Sequence, residues 1–408
     1  MKIFMISYGG GHSNIVASVY KELSKRSGLD IIYAALTGAA LKLQGSDINF
    51  VTISELAKLL PFYEDVRELG RKYGLPFHNA DFGMPVEDTI CYYGIGMHDL
   101  ILEVGEEEAE RRLFENNRKA FLPVETMKEL LQIISPDVCV ITSSPRMEKA
   151  TGIAADQLGI PVVRINDLPV CEPIAHSCTL CVMNEWAKNY AVSNAGVSES
   201  DIYVTGQPTF DADFDIEPSY IERKRNEAGA TNFSNVVTFF AENGVDQSTE
   251  LHALFGTAER MADTLFAIKL HPNQPIGIYG NPNLNNVYIT NGDAKPFFHF
   301  SDLVITTFST TGMEAALFGI PVIVINYDGR KYWPDYIEMG IAVLCDKPEL
   351  QEEMIRTYLD HNSKEYKALK ESQKGFMFVR NAADNICGVI EKMSTRMRNH
   401  DAEENGGE

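Results

Sequence analysis

The segment SDLVITTFSTTGMEAALFGIPVIVIN (301–326) contains, in order, an apolar strand, a turn rich in hydroxyl groups, a helical stretch and a second apolar strand. Strands that are apolar throughout are typical of a parallel sheet that helices cover on both faces. A strand, a helix and a further strand in succession form the crossover unit from which such sheets are built. The segment therefore predicts an α/β fold.

The same alternation extends over the rest of the chain, with helix-period segments between short apolar runs. A doubly wound α/β protein with two Rossmann-like domains is expected from this repetition. The predicted strands are 2–7, 30–36, 48–53, 137–142, 161–165, 178–183 and 201–206 in the first half, and 235–241, 264–270, 286–290, 302–307, 321–326 and 341–345 in the second.

A change in composition separates the two series of strands. The stretch TGQPTFDADFDIEPSY (205–220) holds two prolines and four acidic residues and has little periodicity, which is typical of a linker between domains. We therefore predict an N-terminal domain at 1–207 and a C-terminal domain at 208–375. Residues from about 60 to 130 interrupt the alternation and predict a helical insertion in the first domain.

The C-terminal end of the sequence is expected to hold two further segments. An amphipathic pattern predicts a helix over 376–396 that crosses back to the N-terminal domain. The polar, glycine-containing residues 397–408 predict a disordered tail.

Charge and cysteine content narrow the classes of function. The 408 residues include 36 Lys and Arg against 57 Asp and Glu, a formal charge of −21, which argues against a nucleic-acid partner. Seven cysteines without a secretory signal favour a reducing compartment. No apolar run reaches the length of a membrane span, so we expect a soluble cytoplasmic protein.

The segment ISYGGGHSNIVASVYKEL (6–23) predicts a strand, a tight turn at Gly9, Gly10 and Gly11, and a helix that begins near His12. Glycines let the backbone approach a ligand, and the exposed amides of a helix N-terminus favour anions or hydroxyl groups. The spacing is not that of a dinucleotide-binding loop. An imidazole titrates near neutral pH, so His12 is a candidate general base, with a structural capping histidine as the alternative.

The turn within 301–326 is the strongest candidate for a ligand site. Ser309, Thr310, Thr311 and Gly312 lead into a helix whose first turns carry Glu314. Hydroxyls and free amides at that position suit a diphosphate, and Glu314 is placed to accept hydrogen bonds from a ribose diol. An ordinary N-cap with a nearby acid explains Ser309 and Glu314 singly but does not explain the cluster.

A further candidate lies in IKLHPNQP (268–275), where Lys269 and His271 follow a strand at the edge at which open α/β sheets bind ligands. His271 is expected to contact a phosphate, with an unliganded strand end as the alternative.

Neither a metal ion nor a cofactor is predicted. The pair Asp211 and Asp213 falls in the predicted linker and is expected to be solvated. Cys178 and Cys181 have the spacing of half a zinc site, but no second pair follows, and core packing is the favoured interpretation.

The three segments together resemble glycosyltransferases of the B-type (GT-B) fold, in which two Rossmann-like domains face each other across a nucleotide-sugar cleft. The strand, GGGH turn and helix are similar to the N-terminal loop of the peptidoglycan N-acetylglucosaminyltransferase and of glycolipid galactosyltransferases. IYVTGQPTFD (202–211) resembles the turn before the interdomain linker of that family, and FSTTGMEAALFGIPVIVI (308–325) resembles its donor-binding segment.

This resemblance implies roles for individual residues. Glu314 would be the ribose ligand, residues 309–312 the phosphate cradle, and His12 the base on the acceptor side. The implied activity is metal-independent transfer of a sugar from a nucleotide-sugar to an acceptor hydroxyl of a glycan or glycolipid, as in the synthesis of cell-envelope polysaccharides. Nothing in this acidic sequence favours contact with a membrane.

Alternatives remain within the same fold. His271–Pro272 followed by Ser309–Thr310 resembles transferases that use CMP-sugars or CDP-glycerol. UDP-N-acetylglucosamine 2-epimerases share the fold and the C-terminal segment but open with a G-T-R-P-E loop, whereas this chain has Gly9-Gly10-Gly11-His12-Ser13. Sugar-nucleotide epimerisation or hydrolysis, and a binding protein with a degenerate cleft, are the remaining hypotheses.

Overall fold

The computed structural model describes residues 1–405, with the backbone alone for residue 212 and for residues 394–405. It divides into two compact units. Unit 1 comprises Met1–Asp211 together with the C-terminal segment from Val379, and unit 2 comprises Ala212–Phe378. The division falls after Asp211, within a short helix of the predicted linker.

Unit 1 contains a parallel sheet in the order β2-β1-β3-β4-β5-β6, covered by helices on both faces. Its strands are β1 Lys2–Ser7, β2 Asp30–Ala35, β3 Val138–Thr142, β4 Val162–Ile165, β5 Thr179–Val182 and β6 Ile202–Val204. Its helices are α1 Gly10–Leu23, α2 Gly38–Leu43, α3 Ile53–Ala57, α4 Tyr63–Tyr73, α5 Val86–Val104, α6 Glu106–Asn116, α7 Val124–Ile134, α8 Met147–Gln157 and α9 Glu185–Asn194, and α10 Pro208–Phe214 crosses into unit 2.

Unit 2 repeats the design with a second parallel sheet in the order β12-β11-β10-β7-β8-β9. Its strands are β7 Asn235–Phe240, β8 Thr264–Lys269, β9 Val287–Thr290, β10 Leu303–Thr306, β11 Val322–Ile325 and β12 Val343–Cys345. Its helices are α11 Pro218–Glu227, α12 Ser248–Arg260, α13 Thr310–Leu317, α14 Gln351–Leu359 and α15 Lys364–Gln373, and α16 Ala382–Asn405 returns to unit 1. The predicted doubly wound α/β class is confirmed.

The strand predicted at 48–53 is wrong. Val51 forms a single bridge with Ala34, and Ile53 already begins α3. The reason is a capping box, in which the Thr52 hydroxyl accepts the Glu55 amide and the Glu55 carboxylate accepts the Thr52 amide.

The C-terminal boundaries also differ from the prediction. The helix α16 runs to Asn405, where a disordered tail was expected from residue 397, and residues 406–408 lie outside the described residues. The sequence offers a reason, because no glycine or proline stands between Gly388 and Gly406 to end the helix. In its first turns Ile386 and Ile390 pack with Val16 and Val19 of α1.

The insertion predicted at about 60–130 consists of helices that meet backbone to backbone. A Cβ atom added to Gly94 of α5 would lie 1.9 Å from the carbonyl oxygen of Val66 in α4, and one on Gly70 would lie 2.0 Å from that of Ile90. No side chain can move aside to relieve such a contact, so the two glycines set the distance between these helices.

We expect Gly94→Ala to lower the free energy of unfolding of unit 1 by about 3 kcal/mol, because the methyl group forces α4 and α5 apart. The matched control is Gly388→Ala in α16, where an added Cβ meets nothing within 4 Å. That change should be stabilising by about 0.5–1 kcal/mol through helix propensity. Urea unfolding followed by circular dichroism tests both, and equal midpoints for the two variants would contradict the packing described here.

No helix among residues 1–405 combines the length and the apolar composition needed to cross a membrane.

Candidate functional site

The order of strands marks one edge of each sheet as the place for a ligand. In unit 1, β1 lies between β2 and β3, and in unit 2, β7 lies between β8 and β10. At such a switch point the connections diverge and open a crevice at the carboxyl ends of the strands. Each unit places its predicted site residues at this edge.

The glycine loop of unit 1 connects β1 to α1. Gly9 has φ 155° and ψ −170° and Gly10 has φ 60°, conformations that other residues rarely adopt. The helix begins at Gly10, so His12 lies in its first turn and not before it. Gly10 and Gly11 are exposed, and their backbone is therefore open to a ligand.

His12 is held by a chain of hydrogen bonds. Its Nδ1 lies 2.9 Å from the Thr142 hydroxyl, which donates to Oε2 of Glu148 at 2.6 Å. Because the hydroxyl proton is used on Glu148, its oxygen accepts the Nδ1–H of His12. The remaining ring nitrogen, Nε2, then carries the lone pair. The side chain is 24% exposed, and a neutral imidazole with a free lone pair can accept a proton from a substrate hydroxyl.

Glu148 anchors this chain from the interior. It is fully buried, and its two oxygens also accept the backbone amides of Tyr8 and Thr142, each at 2.9 Å. Burial raises the pKa of Glu148, while the hydrogen bonds from Thr142 and the nearby His12 oppose that rise. The carboxyl group thereby ties the end of β1 to the end of β3.

Asp167, which follows β4, adds a partly buried carboxylate to this edge. Its Oδ2 lies 3.8 Å from Nε2 of His12, and its Oδ1 accepts the Ser143 hydroxyl. The distance of 3.8 Å is too long for a hydrogen bond but suits attraction to a protonated imidazole.

Unit 2 has a cavity of about 290 Å³ at the corresponding edge. Four of the predicted residues contribute to it, namely His271, Ser309, Thr311 and Glu314. The charged groups that join them are Asp213, Lys269, Asp293 and Lys295.

The hydroxyl cluster caps helix α13. Ser309 is the N-cap, and its Oγ accepts the Thr311 hydroxyl at 2.8 Å and the Thr311 amide at 3.4 Å. Thr310 is exposed and does not line the cavity. Gly312 has another reason to be glycine, because an added Cβ would lie 2.6 Å from Cγ2 of Thr306, and its amide already donates to the Ser309 carbonyl at 3.0 Å. Ser309 and Thr311 are thus the hydroxyls that line the cavity.

Glu314 lies on the inner face of α13. Burial raises the pKa of its carboxyl group to about 7, and the neighbouring Asp213 carboxylate contributes to the rise while Lys295 opposes it. The group therefore changes charge near neutral pH, which is unusual for a glutamate.

The two linker aspartates differ from expectation. Asp213 is buried, forms an ion pair with Lys295 and lines the cavity, although a solvated residue was predicted. Asp211 accepts the amides of Asn381 and Ala382 at 3.0 and 2.8 Å and so holds the start of α16. The linker sequence folds into helix α10, and this places the two side chains in structured surroundings.

His271 and Lys269 occupy the end of β8. The Asn273 amide donates to Nδ1 of His271 at 3.2 Å, so in the neutral ring Nε2 carries the proton and can donate to an anion. Lys269 is buried, its ammonium group donates to the Leu270 carbonyl, and burial lowers its pKa.

The cysteines of the described chain are all free and buried. Cys178 and Cys181 belong to different hydrophobic clusters, on opposite faces of the sheet, so the two thiols do not converge on one ion. Among the side chains that the structure describes, no group of three or more His, Cys, Asp and Glu residues is placed to hold a metal ion.

No family model and no curated protein sequence matches this chain. Solved structures match it over nearly its whole length. The UDP-GlcNAc 2-epimerase from Neisseria meningitidis bound to UDP-GlcNAc gives a TM-score of 0.58 at 14% identity, covering 97% of this chain and 100% of that chain. The UDP-GlcNAc 2-epimerase from Methanocaldococcus jannaschii gives 0.55 at 13% identity, covering 96% and 100%.

CalG4, the calicheamicin glycosyltransferase, gives a TM-score of 0.56 at 12% identity, covering 97% of this chain and 98% of that chain. Epimerases and glycosyltransferases therefore match about equally well. Sequence identities this low show a similarity of fold alone. The chain has the two-domain GT-B fold that these enzymes share.

Proposed function

We propose that the protein is a glycosyltransferase that moves a sugar from a nucleotide-sugar donor to an acceptor hydroxyl. The observation that carries this proposal is the Gly9-Gly10-Gly11-His12 turn, which resembles that of transferases and not the loop of the epimerases. The chain from His12 through Thr142 to Glu148 orients the imidazole with its accepting nitrogen away from Thr142. The similarity in fold to nucleotide-sugar enzymes of both classes supports the choice of donor.

The donor would bind in the cavity of unit 2. The Ser309 and Thr311 side chains at the N-terminus of α13 would contact the diphosphate, and Glu314 would accept hydrogen bonds from the ribose hydroxyls. His271 offers a further N–H donor to the phosphates. These hydroxyl and N–H dipoles, with Lys269 and Lys295 in the same cavity, would stabilise the diphosphate, and no metal ion is proposed for the donor site.

In the reaction, the acceptor hydroxyl would lose its proton to Nε2 of His12 and its oxygen would bond to the anomeric carbon of the sugar. The bond from that carbon to the phosphate oxygen would break, and the nucleoside diphosphate would leave with the electron pair. Asp167 would stabilise the imidazolium that forms, because its carboxylate lies on the Nε2 side of the ring.

A second candidate is epimerisation or hydrolysis of the sugar-nucleotide, which the match to UDP-GlcNAc 2-epimerases favours. A base at His12 can serve either reaction. Incubation with UDP-GlcNAc alone separates the candidates, since a new sugar-nucleotide or released UDP in the absence of an acceptor would identify the second. Thermal-shift measurements with UDP, CDP, CMP, GDP and dTDP would identify the nucleobase of the donor. They would also test the CMP-sugar and CDP-glycerol alternatives.

The donor site is tested by Ser309→Ala, which we expect to weaken binding of the preferred nucleotide about tenfold, because a hydroxyl that contacts phosphate is lost. The matched control is Ser363→Ala at the N-cap of α15 in the same unit, where the hydroxyl accepts the Tyr366 amide at 3.0 Å. Both should lose about 1 kcal/mol of stability through the cap. Calorimetry that finds equal affinities for the two variants would remove Ser309 from the proposed phosphate site.

A further inference from the structure

Two arginines surround Tyr8, the residue immediately before the glycine loop. The guanidinium of Arg146 lies over the Tyr8 ring at 4.5 Å from its centroid. Arg118 donates to the Tyr8 hydroxyl at 2.7 Å and lies 5.7 Å from the ring centroid. Arg118 comes from the end of the helical insertion and Arg146 from the loop between β3 and α8, so distant segments bring these charges together.

Neither guanidinium has an acidic partner. Among the described residues no carboxylate lies within 4.0 Å of Arg118 or Arg146. The Nε of Arg146 is buried without a hydrogen-bond acceptor. Arg26, Arg67, Arg111 and Arg112 of unit 1 are ion-paired, whereas Arg71 and Arg164, like Arg118 and Arg146, form no ion pair among the described residues.

The backbone of Arg146 is held in an unfavourable conformation, with φ 68° and ψ −117°. Residues other than glycine rarely adopt a positive φ, and strain of this kind collects at sites where a side chain has a task. A third cation, Lys42, reaches the same loop and donates to the Gly10 carbonyl at 3.3 Å.

We propose that Arg118 and Arg146 bind a negatively charged group, a carboxylate or a phosphate, of the acceptor whose hydroxyl approaches His12. This inference rests on the proposed function. A chain of hydrogen bonds links Tyr8 to His12. The Tyr8 amide and the Thr142 hydroxyl both donate to Glu148, and the Thr142 hydroxyl also contacts His12. Planar guanidinium groups suit either anion, since each can donate two parallel hydrogen bonds.

The acidic groups nearby limit where the anion can lie. Glu148 is buried and bonded to its three donors, and Asp167 lies on the far side of the His12 ring from Thr142. The acceptor's anion would therefore lie on the Tyr8 side of the loop, and its hydroxyl on the His12 side.

The test uses inorganic phosphate and acetate as probes, titrated separately at constant ionic strength and followed by calorimetry. Phosphate binding by the whole protein should weaken at least tenfold in Arg118→Gln/Arg146→Gln. The matched control is Arg111→Gln, which removes one positive charge of the same unit from a guanidinium already paired with Glu108 and Glu115, and should change nothing. The probe that binds more tightly identifies the acceptor's group.

A folding defect is excluded by Arg146→Gly, because glycine accepts the positive φ. This variant should keep or raise the melting temperature while phosphate binding falls. Unchanged phosphate binding in the double glutamine variant would overturn the proposal. Displacement by UDP-GlcNAc of the phosphate binding that is lost in this variant would overturn it as well, because it would assign the arginines to the donor. If phosphate binds at the arginines while no nucleotide binds, the proposed function fails and the anion site stands.

Discussion

Replacing His12 by alanine should lower the turnover number about 10²–10⁴-fold, the usual contribution of a general base. The dissociation constant for the nucleotide-sugar should change less than about twofold, because His12 lies in unit 1 and the proposed donor cavity is formed by residues of unit 2. Single-turnover kinetics at saturating donor measures the rate of the chemical step, and calorimetry measures the dissociation constant of the donor.

A second variant tests how His12 is positioned. Thr142→Val removes the hydroxyl that accepts Nδ1–H and keeps the shape of the side chain. Turnover should fall about tenfold, and the pH profile of kcat should shift because the link to Glu148 is broken. Because Val takes one hydrogen-bond donor from the buried Glu148, the melting temperature of the variant is measured alongside its turnover.

A large loss of donor affinity in His12→Ala would reassign His12 to binding.

The strand pattern predicted the fold because buried parallel strands must be apolar on both faces, a property visible in single segments such as 302–307 and 321–326. The wrong prediction of a strand at 48–53 arose from the same rule. Its apolar residues satisfy the strand pattern, but Thr52 and Glu55 form a capping box, and that local hydrogen bonding commits the chain to helix α3. The capping box was present in the sequence as T-I-S-E.

The positions of two candidate residues were predictable from local motifs. His12 follows three glycines and Ser309 precedes a helix, and the structure places both at the carboxyl edges of their sheets. Thr142 was not predicted because its contact with His12 spans 130 residues. Glu148 was not predicted because an acid in the first turn of a helix is ordinary. Asp213 was misjudged since its neighbours resemble a solvated linker until helix α10 forms.

The affinity for UDP-GlcNAc should rise about tenfold between pH 6 and pH 8 if Glu314 binds the ribose. The pKa of this carboxyl group in the free protein is about 7, and the ionised form accepts hydrogen bonds from a ribose diol on both oxygens, whereas the protonated form uses one oxygen as a donor. Binding therefore favours ionisation, and at pH 7 it should release about half a proton. UDP-GlcNAc is a suitable probe because its diphosphate is a diester without a titration near this pH.

The measurement is calorimetry in two buffers of different ionisation enthalpy, with Glu314→Gln as the variant. Gln cannot ionise, so its binding should be independent of pH and about 10–100-fold weaker at pH 8. The pH dependence of folding stability gives an internal check, because ionisation of Glu314 should favour nucleotide binding but lower stability. Because burial raises the folded pKa of Glu314 from 4.5 to about 7, its carboxyl group stabilises the protein most at low pH, and that contribution is lost as pH rises through this range.

Glu314→Gln should accordingly be as stable as the natural protein near pH 5 and more stable at pH 8, by up to about 3 kcal/mol. A variant that is more stable yet binds the nucleotide more weakly cannot owe its defect to unfolding. Uptake of a proton on binding, in place of release, would show that Glu314 faces a phosphate and that the ribose lies elsewhere, because a neighbouring negative charge favours the protonated carboxyl group.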